Sequence, residues 1–331
     1  MSVTVCIPVY NRRELVGAAV RSALNQAVDN LEVLVVDNHS SDGTWEYLQT
    51  INDARLKLVR NDSNIGMFGN FNRCGNLAQG EYILFLCSDD RLKPGFLLHA
   101  LEQLRDRPSV ALLSSCGIMI DERGYAFGRA GDFLPPGQYE AKSITKAFFW
   151  TVANYGINIF NYPSGILLRG DAARRALPFK DDLGGPADID YFLKALEYGD
   201  LLIDPIAGCE IIVHRSQTAK KNKQSGTMIV DLMRLALLYR DASSDRLYWQ
   251  KVHRQLSAAV FAWSLRQLKV GHFREAATAT KFGFPWPTIF VAGLRRIAFL
   301  ILYRLGIRAI KYAVKRELTP AKSAYSYSDA S

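Results

Sequence analysis

The sequence lacks the cysteine patterns of disulfide-rich and zinc-binding chains. Its cysteines are odd in number, widely spaced and without a Cys-x-x-Cys pair: Cys6, Cys74, Cys87, Cys116 and Cys209. This pattern argues against a disulfide framework and a zinc site, and it indicates reduced thiols in a cytoplasmic protein. The chain opens on a strand-like apolar run at residues 3–9 instead of a charged leader, so we expect no signal peptide.

Acidic residues are scarce in the C-terminal third. Residues 220–331 hold 20 Lys and Arg against 6 Asp and Glu, whereas residues 1–219 hold 21 against 26. The net charge of +9 therefore arises from the C-terminal region, while the rest of the chain is mildly acidic. An anionic partner is expected at the C-terminal region.

An uncharged run long enough to cross a bilayer is also missing from residues 288–318. Arg295 and Arg296 interrupt this apolar stretch, and a spanning helix needs about 20 apolar residues. Basic side chains at spacings of four, three and four share one helical face there: Arg304, Arg308, Lys311 and Lys315. Such a helix is typical of binding to an anionic membrane surface, and the alternative is packing on the protein or at a dimer interface. No nucleic-acid-binding motif accompanies the charge, so no nucleic acid partner is expected.

The first 220 residues alternate short apolar runs with helical patterns. Runs at 3–9, 31–36, 56–59 and 82–86 indicate buried strands, and the stretches between them indicate helices. This order predicts an α/β fold with a mostly parallel sheet flanked by helices. Further strands are predicted at 110–115 and 117–121, and residues 122–143, rich in Gly, Pro and Arg, are predicted to form a mobile flap. We predict a domain of residues 1–220 and a basic helical region of 221–331, with helices at 228–240 and 246–268 and a disordered tail at 319–331.

The run Tyr82–Phe85 continues through Leu86 and Cys87 into Ser88, Asp89 and Asp90. Ligands bind beyond the carboxyl ends of strands in open α/β sheets. Two adjacent carboxylates repel each other unless a cation lies between them, and oxygen ligands suit Mg²⁺ or Mn²⁺, which in turn suit a diphosphate. The alternative is that Asp89 and Asp90 cap the following helix.

Polar side chains follow other predicted strands as well. Asp37, after the second strand, can accept hydrogen bonds from a base or ribose, and Tyr10 can flank a base beside Pro8. Asp188 begins a predicted helix after a Gly-Gly-Pro turn, where it is either a second acidic group of the same cleft or an N-cap. A carboxylate opposite a metal-bound diphosphate can act as general base on an incoming hydroxyl, which inverts the attacked carbon.

Five motifs in order make residues 1–218 resemble the family 2 glycosyltransferases, which have the GT-A fold. They are Ile7-Pro8-Val9-Tyr10-Asn11, the run 36–44 with Asp37 and Asp42, Asn64-Ile65-Gly66 with Asn72, Gly80-Glu81-Tyr82-Ile83, and Ser88-Asp89-Asp90. The resemblance implies a nucleotide-sugar donor, usually UDP-linked, and a divalent metal, Mn²⁺ or Mg²⁺, at Ser88-Asp89-Asp90. The donor-binding residues it implies are Pro8, Tyr10, Asn11, Asp37, Asp42, Asn72, Ser88 and Asp89.

The resemblance also implies roles near the metal. Asp90 is the expected metal ligand, with Asp89 at the metal or the ribose. His214 resembles the late histidine that approaches the metal or diphosphate, and the alternative is a strand-end histidine bonded to backbone. The family's catalytic base lies in a Glu-Asp pair that opens a helix. Here the pair is Ala187-Asp188, so the Glu is absent and Asp188 is the expected base.

These features predict a metal-dependent inverting glycosyltransferase at the inner face of the cytoplasmic membrane. It would transfer sugar to a hydroxyl of a lipid-linked or cell-envelope polysaccharide. One alternative is a polyprenyl-phosphate sugar transferase, whose ionised acceptor needs no base, and another is a non-catalytic nucleotide-sugar-binding module. A sugar nucleotidyltransferase is disfavoured, because the loop after the first strand lacks the glycines that would cradle a triphosphate.

Overall fold

A ten-stranded sheet organises the residues that the computed structural model describes, 1–155, 158–214 and 227–269. The strands are β1 (Val3–Val9), β2 (Leu31–Asp37), β3 (Leu56–Arg60), β4 (Tyr82–Phe85), β5 (Arg91–Leu92), β6 (Val110–Asp121), β7 (Ala126–Ala130), β8 (Gly137–Tyr139), β9 (Ile166–Arg169) and β10 (Asp200–Val213).

The strand order is β3-β2-β1-β4-β9-β6-β10-β5, with β7 paired to β6 and β8 paired to β10. Strands β1 to β4, β6 and β10 run in one direction, and β9 lies antiparallel between β4 and β6. The α/β fold with a mostly parallel central sheet, predicted from the alternating pattern, is confirmed. Because the parallel strands share a direction, their carboxyl ends meet at one edge.

Helices cover both faces of this sheet. They are α1 (Val16–Leu24), α2 (Thr44–Leu48), α3 (Met67–Leu77), α4 (Phe96–Arg105), α5 (Ala141–Tyr155), α6 (Gly170–Ala176), α7 (Ala187–Ala195), α8 (Thr227–Asp241) and α9 (Arg246–Lys269). Successive strand residues point to opposite faces, so Val5 and Ile7 pack with α1 and α4, while Cys6 packs with α3, α6 and α7. Burial on both faces explains the continuous apolar strands.

Helices α8 and α9 pack on the domain through α5. The ring of Phe149 lies 4.9 Å from that of Trp249 and 5.2 Å from that of Tyr239, measured between centroids. Lys146 Nζ lies 2.6 Å from Asp245 Oδ2, in the turn between α8 and α9. The helices predicted at 228–240 and 246–268 are thus present, and their apolar faces join the core of the sheet domain.

Two local predictions were wrong. Residues 110–121 form one continuous strand, and the segment 122–143 contributes β7 and β8 to the sheet instead of forming a flap, because β7 pairs with β6 and β8 with β10. The predicted domain boundary at residue 220, the helix at 288–318 and the tail at 319–331 lie outside the described residues. Among the helices that are described, none has the length and hydropathy that a membrane span requires.

Candidate active site

The carboxyl ends of β1, β2 and β4 meet at one edge of the sheet. Val9 pairs with Asp37, and the backbone N–H of Leu86 donates to the carbonyl of Cys6 at 2.8 Å. Strand β9 runs the opposite way, so the residues that precede it reach the same edge. Ser164 lies there, and its Oγ accepts a hydrogen bond from the Cys87 N–H at 3.1 Å.

A cavity of about 440 Å³ opens at this edge. Five residues that the sequence singled out line it: Pro8, Tyr10, Ser88, Asp89 and Asp90. Tyr10 leaves 43% of its surface exposed, so its ring is free to flank a planar group. The prediction that the ends of strands one and four share a cleft is therefore confirmed as a matter of geometry.

Asp90 is almost fully buried and both of its carboxylate oxygens accept hydrogen bonds. Ser164 Oγ donates to Oδ2 at 2.6 Å, and the backbone N–H of Ile212 donates to Oδ1 at 3.0 Å. Burial first, and then the charge of Asp89, raise the pKa of Asp90 to about 7. Two carboxylates this close favour a bound cation, which would favour the ionised form of Asp90.

Asp89 and His214 are in direct contact. The distance from His214 Nε2 to Asp89 Oδ2 is 2.7 Å, which brings the end of β10 against the Ser88-Asp89-Asp90 turn. Ligand atoms of Cys87, Asp89 and Asp90 all lie within 4.8 Å of one another. Burial raises the pKa of the Cys87 thiol well above its usual value, so at neutral pH this sulfur is a neutral thiol and the carboxylates are the better ligands for a hard cation.

Asp188 lies in the first turn of α7, beside the cavity and not in its lining. Its Oδ1 accepts a hydrogen bond from the Ile189 N–H at 2.8 Å, and burial raises its pKa to about 6. Tyr162 lines the cavity, and after burial the charges of Asp188 and Asp90 raise its pKa. The neighbouring Asp190 is turned into the core, where its Oδ2 lies 2.6 Å from Lys194 Nζ.

Three predicted donor-binding residues shape the loop that follows β2. Asn11, with φ of 50°, donates its N–H to Ser40 Oγ and accepts from the Ser41 N–H through Oδ1. Asp37 is fully buried, and its Oδ2 lies 3.2 Å from Arg60 Nε. Asp42 accepts from the N–H groups of Arg13 and Thr44. These side chains join the loops after β1 and β2, and none of the three lines the cavity.

Asn72 lies away from the cavity lining. Its Nδ2 donates to the carbonyl of Phe179 at 3.0 Å, and its Oδ1 accepts from the Phe179 N–H at 2.7 Å. This pair of bonds fastens α3 to the segment after α6. Asn72 thus helps to hold α3, which supplies residues of the cavity lining.

Sequence reasoning missed an asparagine network. Asn61 Nδ2 donates to Asn38 Oδ1 and to Asn70 Oδ1, each at 2.9 Å, and Asn38 Nδ2 donates to Asn64 Oδ1 at 2.8 Å. Three of these four residues line the cavity. The recurrence of Asn at 61, 64 and 70 around a predicted strand end was the available signal. Ser164 and Tyr162 gave no such signal, because they contact the site from more than 70 residues away along the chain.

Comparison with known proteins finds a family match in the N-terminal region. Residues 4–157 match the family model "Glycosyl transferase family 2". A relative from Escherichia coli, named UDP-Glc:alpha-D-GlcNAc-diphosphoundecaprenol beta-1,3-glucosyltransferase WfaP, is 38% identical over 88 residues. That match covers 27% of this chain and 35% of the relative, so the chain spans about a third of that protein's length.

Comparison of structures extends the likeness over more of the chain. Staphylococcus aureus TarS 1-349 in complex with UDP-GlcNAc superposes with a TM-score of 0.67 at 16% identity, covering 96% of this chain and 93% of that one. A mannosyltransferase from Pyrobaculum calidifontis, in complex with GDP-Man and Mn²⁺, has a TM-score of 0.55 at 19% identity and covers 95% of this chain and 84% of that one. At these identities the likeness shows a shared fold, which is the GT-A fold.

Proposed function

We propose that the chain is a metal-dependent inverting glycosyltransferase, because its residues 4–157 match the model of glycosyl transferase family 2. The donor is a nucleotide-sugar, UDP-linked, and the acceptor is a hydroxyl of a lipid-linked or cell-envelope glycan. The observation that carries the proposal is the placement of Asp188, a carboxylate with a pKa near 6, beside a cavity that Asp89 and Asp90 line.

Asp188 fits the role of general base. A base works best when its pKa lies near the operating pH, since it is then ionised and still able to hold the proton it takes. Burial gives Asp188 such a pKa, whereas Asp190 is paired with Lys194 and buried in the core. Asp188 would take the proton of the acceptor hydroxyl as that oxygen attacks the anomeric carbon from the side opposite the leaving nucleotide.

The acidic residues at the end of β4 fit a divalent cation. Asp89 and Asp90 supply carboxylate oxygens, and His214 reaches the same group through Asp89. A divalent cation bound there would neutralise charge on the diphosphate leaving group. The pKa of Asp90 is raised by burial first and then by the charge of Asp89, and this supports the proposal because a bound cation would favour the ionised form of Asp90.

Support for the acceptor class comes from the relatives. WfaP is named for transfer to a sugar on diphosphoundecaprenol, and another relative from Escherichia coli is named as a colanic acid biosynthesis glycosyl transferase. On this basis we assign a lipid-linked or cell-envelope glycan as the acceptor of this chain. It also places the protein in the cytoplasm, on the inner face of the membrane where lipid-linked acceptors are assembled, held there through the basic residues of 220–331.

Nucleotide release from a panel of nucleotide-sugars is the experiment that tests the proposal. The full-length protein would be incubated with UDP-, GDP- and dTDP-sugars, with Mn²⁺, Mg²⁺ or EDTA. We expect slow metal-dependent hydrolysis of one UDP-sugar in the absence of any acceptor. Equal release in EDTA would contradict the metal assignment, and binding of a UDP-sugar without any release would favour a non-catalytic module.

The variant Asp188→Asn distinguishes transfer to a hydroxyl from transfer to polyprenyl phosphate. A hydroxyl acceptor must lose a proton, so loss of the base should lower kcat by about 10²-fold or more with little effect on donor binding. A phosphate acceptor is already ionised, so unchanged transfer by Asp188→Asn would identify a polyprenyl-phosphate sugar transferase. Asp182→Asn is the matched control, because Asp182 is exposed in the turn that precedes α7.

A further inference from the structure

The hairpin of β6 and β7 carries two exposed aromatic side chains beside the site. Tyr125 leaves 69% of its surface exposed and Phe127 leaves 57%, and both lie in the segment 122–143. Aromatic rings of this size are among the largest contributors to binding energy at protein surfaces. Two such rings exposed side by side, one in the turn and one on β7, therefore offer a surface that a ligand could bind.

The turn that presents these rings is held by its own hydrogen bonds. Asp121 Oδ1 accepts from the N–H groups of Arg123 and Tyr125, each at 2.9 Å. The backbone N–H of Asp121 donates to the carbonyl of Tyr125 at 3.0 Å, and Gly124 takes the left-handed conformation that the turn needs, with φ of 86°. A ligand would meet rings that are already positioned, which lowers the entropy lost on binding.

The hairpin borders the site at both of its ends. At its base Gly131 packs so closely on Asn161 that a Cβ there would lie 2.7 Å from the Asn161 Cβ, and the next residue, Tyr162, lines the cavity. At its tip Asp121 pairs with Val213, the residue before His214. Tyr125 thus lies two strand spacings from the end of β10, or about 10 Å.

The chemistry of the hairpin favours a glycan over a lipid surface. The segment 121–132 contains Arg123 and Arg129 against Asp121, Glu122 and Asp132, so it has no excess positive charge. An anionic membrane attracts clusters of Lys and Arg, which are absent from this segment. A glycan is mostly uncharged, and the C–H groups of its sugar rings are attracted to the negative faces of aromatic rings.

We propose that Tyr125 and Phe127 form a docking platform for the acceptor glycan, binding sugar units that lie beyond the one that is glycosylated. This inference rests on the proposed function, since it deepens the acceptor side of the same site. Tyr125 lies about 10 Å from the end of β10, where His214 contacts Asp89, so the platform would bind sugar units beside the cavity and outside it. A long glycan would then bind more tightly than its terminal sugar alone.

Binding of defined trisaccharides by the full-length protein tests this inference without requiring turnover. The probes are maltotriose, laminaritriose and triacetylchitotriose, followed by saturation-transfer NMR. We expect at least one of them to bind the wild type, and the double variant Tyr125→Ala/Phe127→Ala to bind it about tenfold more weakly. Tyr198→Ala is the matched control and should bind like the wild type, because Tyr198 is 45% exposed but precedes β10, at the opposite edge of the sheet.

Several results would overturn the platform. The first is equal binding of the trisaccharides by the wild type and the double variant, and the second is no binding of any of the three. The third is a double variant that binds trisaccharides normally but sediments less than the wild type with phosphatidylglycerol vesicles, which would indicate a membrane contact. Donor hydrolysis without acceptor is measured on the same samples. Its absence in the wild type would refute the proposed function, whereas normal hydrolysis with no effect of the double variant on trisaccharide binding would refute only the platform.

Discussion

The surroundings of Asp90 show how single residues define the site. Its carboxylate is held by one donor from the segment before β9 and one from β10, namely Ser164 Oγ and the Ile212 N–H. Ser164 also accepts from the Cys87 N–H, so one hydroxyl fixes both the turn and the side chain of Asp90. A buried carboxylate needs such partners, because an unpaired one would be neutralised or displaced.

Ser164→Ala should weaken metal-dependent activity. Loss of the hydroxyl leaves Asp90 Oδ2 and the Cys87 N–H without their partner, which costs about 1–3 kcal/mol of stability for each buried group left unpaired. We expect the Mn²⁺ concentration for half-maximal nucleotide release to rise about tenfold or more, as measured by metal titration. The melting temperature should fall at the same time.

Ser114→Ala is the control for that variant. Ser114 is equally buried, and its Oγ has no hydrogen-bond partner among the described residues. Its removal should leave both stability and metal titration close to the wild type. If the two variants behave alike, Ser164 does not position Asp90.

Asp188 should set the acid limb of the pH–rate profile. The base must be ionised to accept a proton, and burial raises its pKa from 3.8 to about 6. Nucleotide release that depends on a hydroxyl acceptor should therefore fall as the pH drops through about 6. A profile that is flat between pH 5 and pH 8 would contradict the role.

The raised pKa of Asp188 also affects stability: ionisation of Asp188 favours catalysis but destabilises the folded protein. A carboxyl whose pKa is raised by folding is harder to ionise in the folded protein, so its ionisation lowers stability as the pH rises from 3.8 towards about 6. Asp188→Asn should raise the free energy of unfolding by about 1–3 kcal/mol at pH 8 and leave it unchanged at pH 3. Urea unfolding at the two pH values measures the difference.

At the scale of elements, the packing of α5 against α8 and α9 joins the C-terminal helices to the sheet domain. Phe149 is buried between Tyr239 and Trp249, and the Lys146–Asp245 ion pair lies at the edge of this contact. Such ion pairs add about 0–1 kcal/mol when exposed, so the aromatic contact supplies most of the attachment. The helical pattern of 228–268 predicted the helices, and only the tertiary contact shows what they cover.

Trp249→Ala should loosen α8 and α9 from the domain. Removing a buried tryptophan typically costs about 3–5 kcal/mol, and Trp249 is 4% exposed. Limited proteolysis should then cut within the two helices earlier than in the wild type. Leu247→Ala, at a position that is 74% exposed on the same helix, should be cut at the wild-type rate. Equal rates of cutting in the two variants would show that the aromatic contact does not hold α8 and α9 on the sheet domain.

At the scale of the whole molecule, charge divides the chain into two parts. The mildly acidic residues 1–219 contain the candidate active site, and the basic residues 220–331 contain 20 Lys and Arg. Each basic residue near an anionic membrane surface contributes about 1 kcal/mol. The sequence therefore predicts that the second part holds the protein at a membrane, where the proposed acceptor would lie.

Charge removal at the C-terminal face should release the protein from membranes. The full-length variant Arg304→Ala/Arg308→Ala/Lys311→Ala/Lys315→Ala should sediment less with phosphatidylglycerol vesicles than the wild type, and the difference should shrink at high salt. Phosphatidylcholine vesicles, which carry no net charge, serve as the control. Wild-type protein that does not sediment with anionic vesicles would contradict the prediction.

The sequence by itself determined the fold class and predicted a site at the end of the fourth strand. Alternating apolar runs predict buried strands and covering helices, and it was the resemblance carried by five motifs, more than the two adjacent carboxylates alone, that predicted the site. It could not determine that β9 lies antiparallel beside β4, which brings Ser164 to Asp90, nor that Asp37 is buried and that Asn72 bonds to the backbone of Phe179. The tertiary structure decided these points, because contacts between distant segments depend on which strands pair. It also decided that residues 122–143 join the sheet, since the bonds that order them come from β6, β10 and the Asp121 turn.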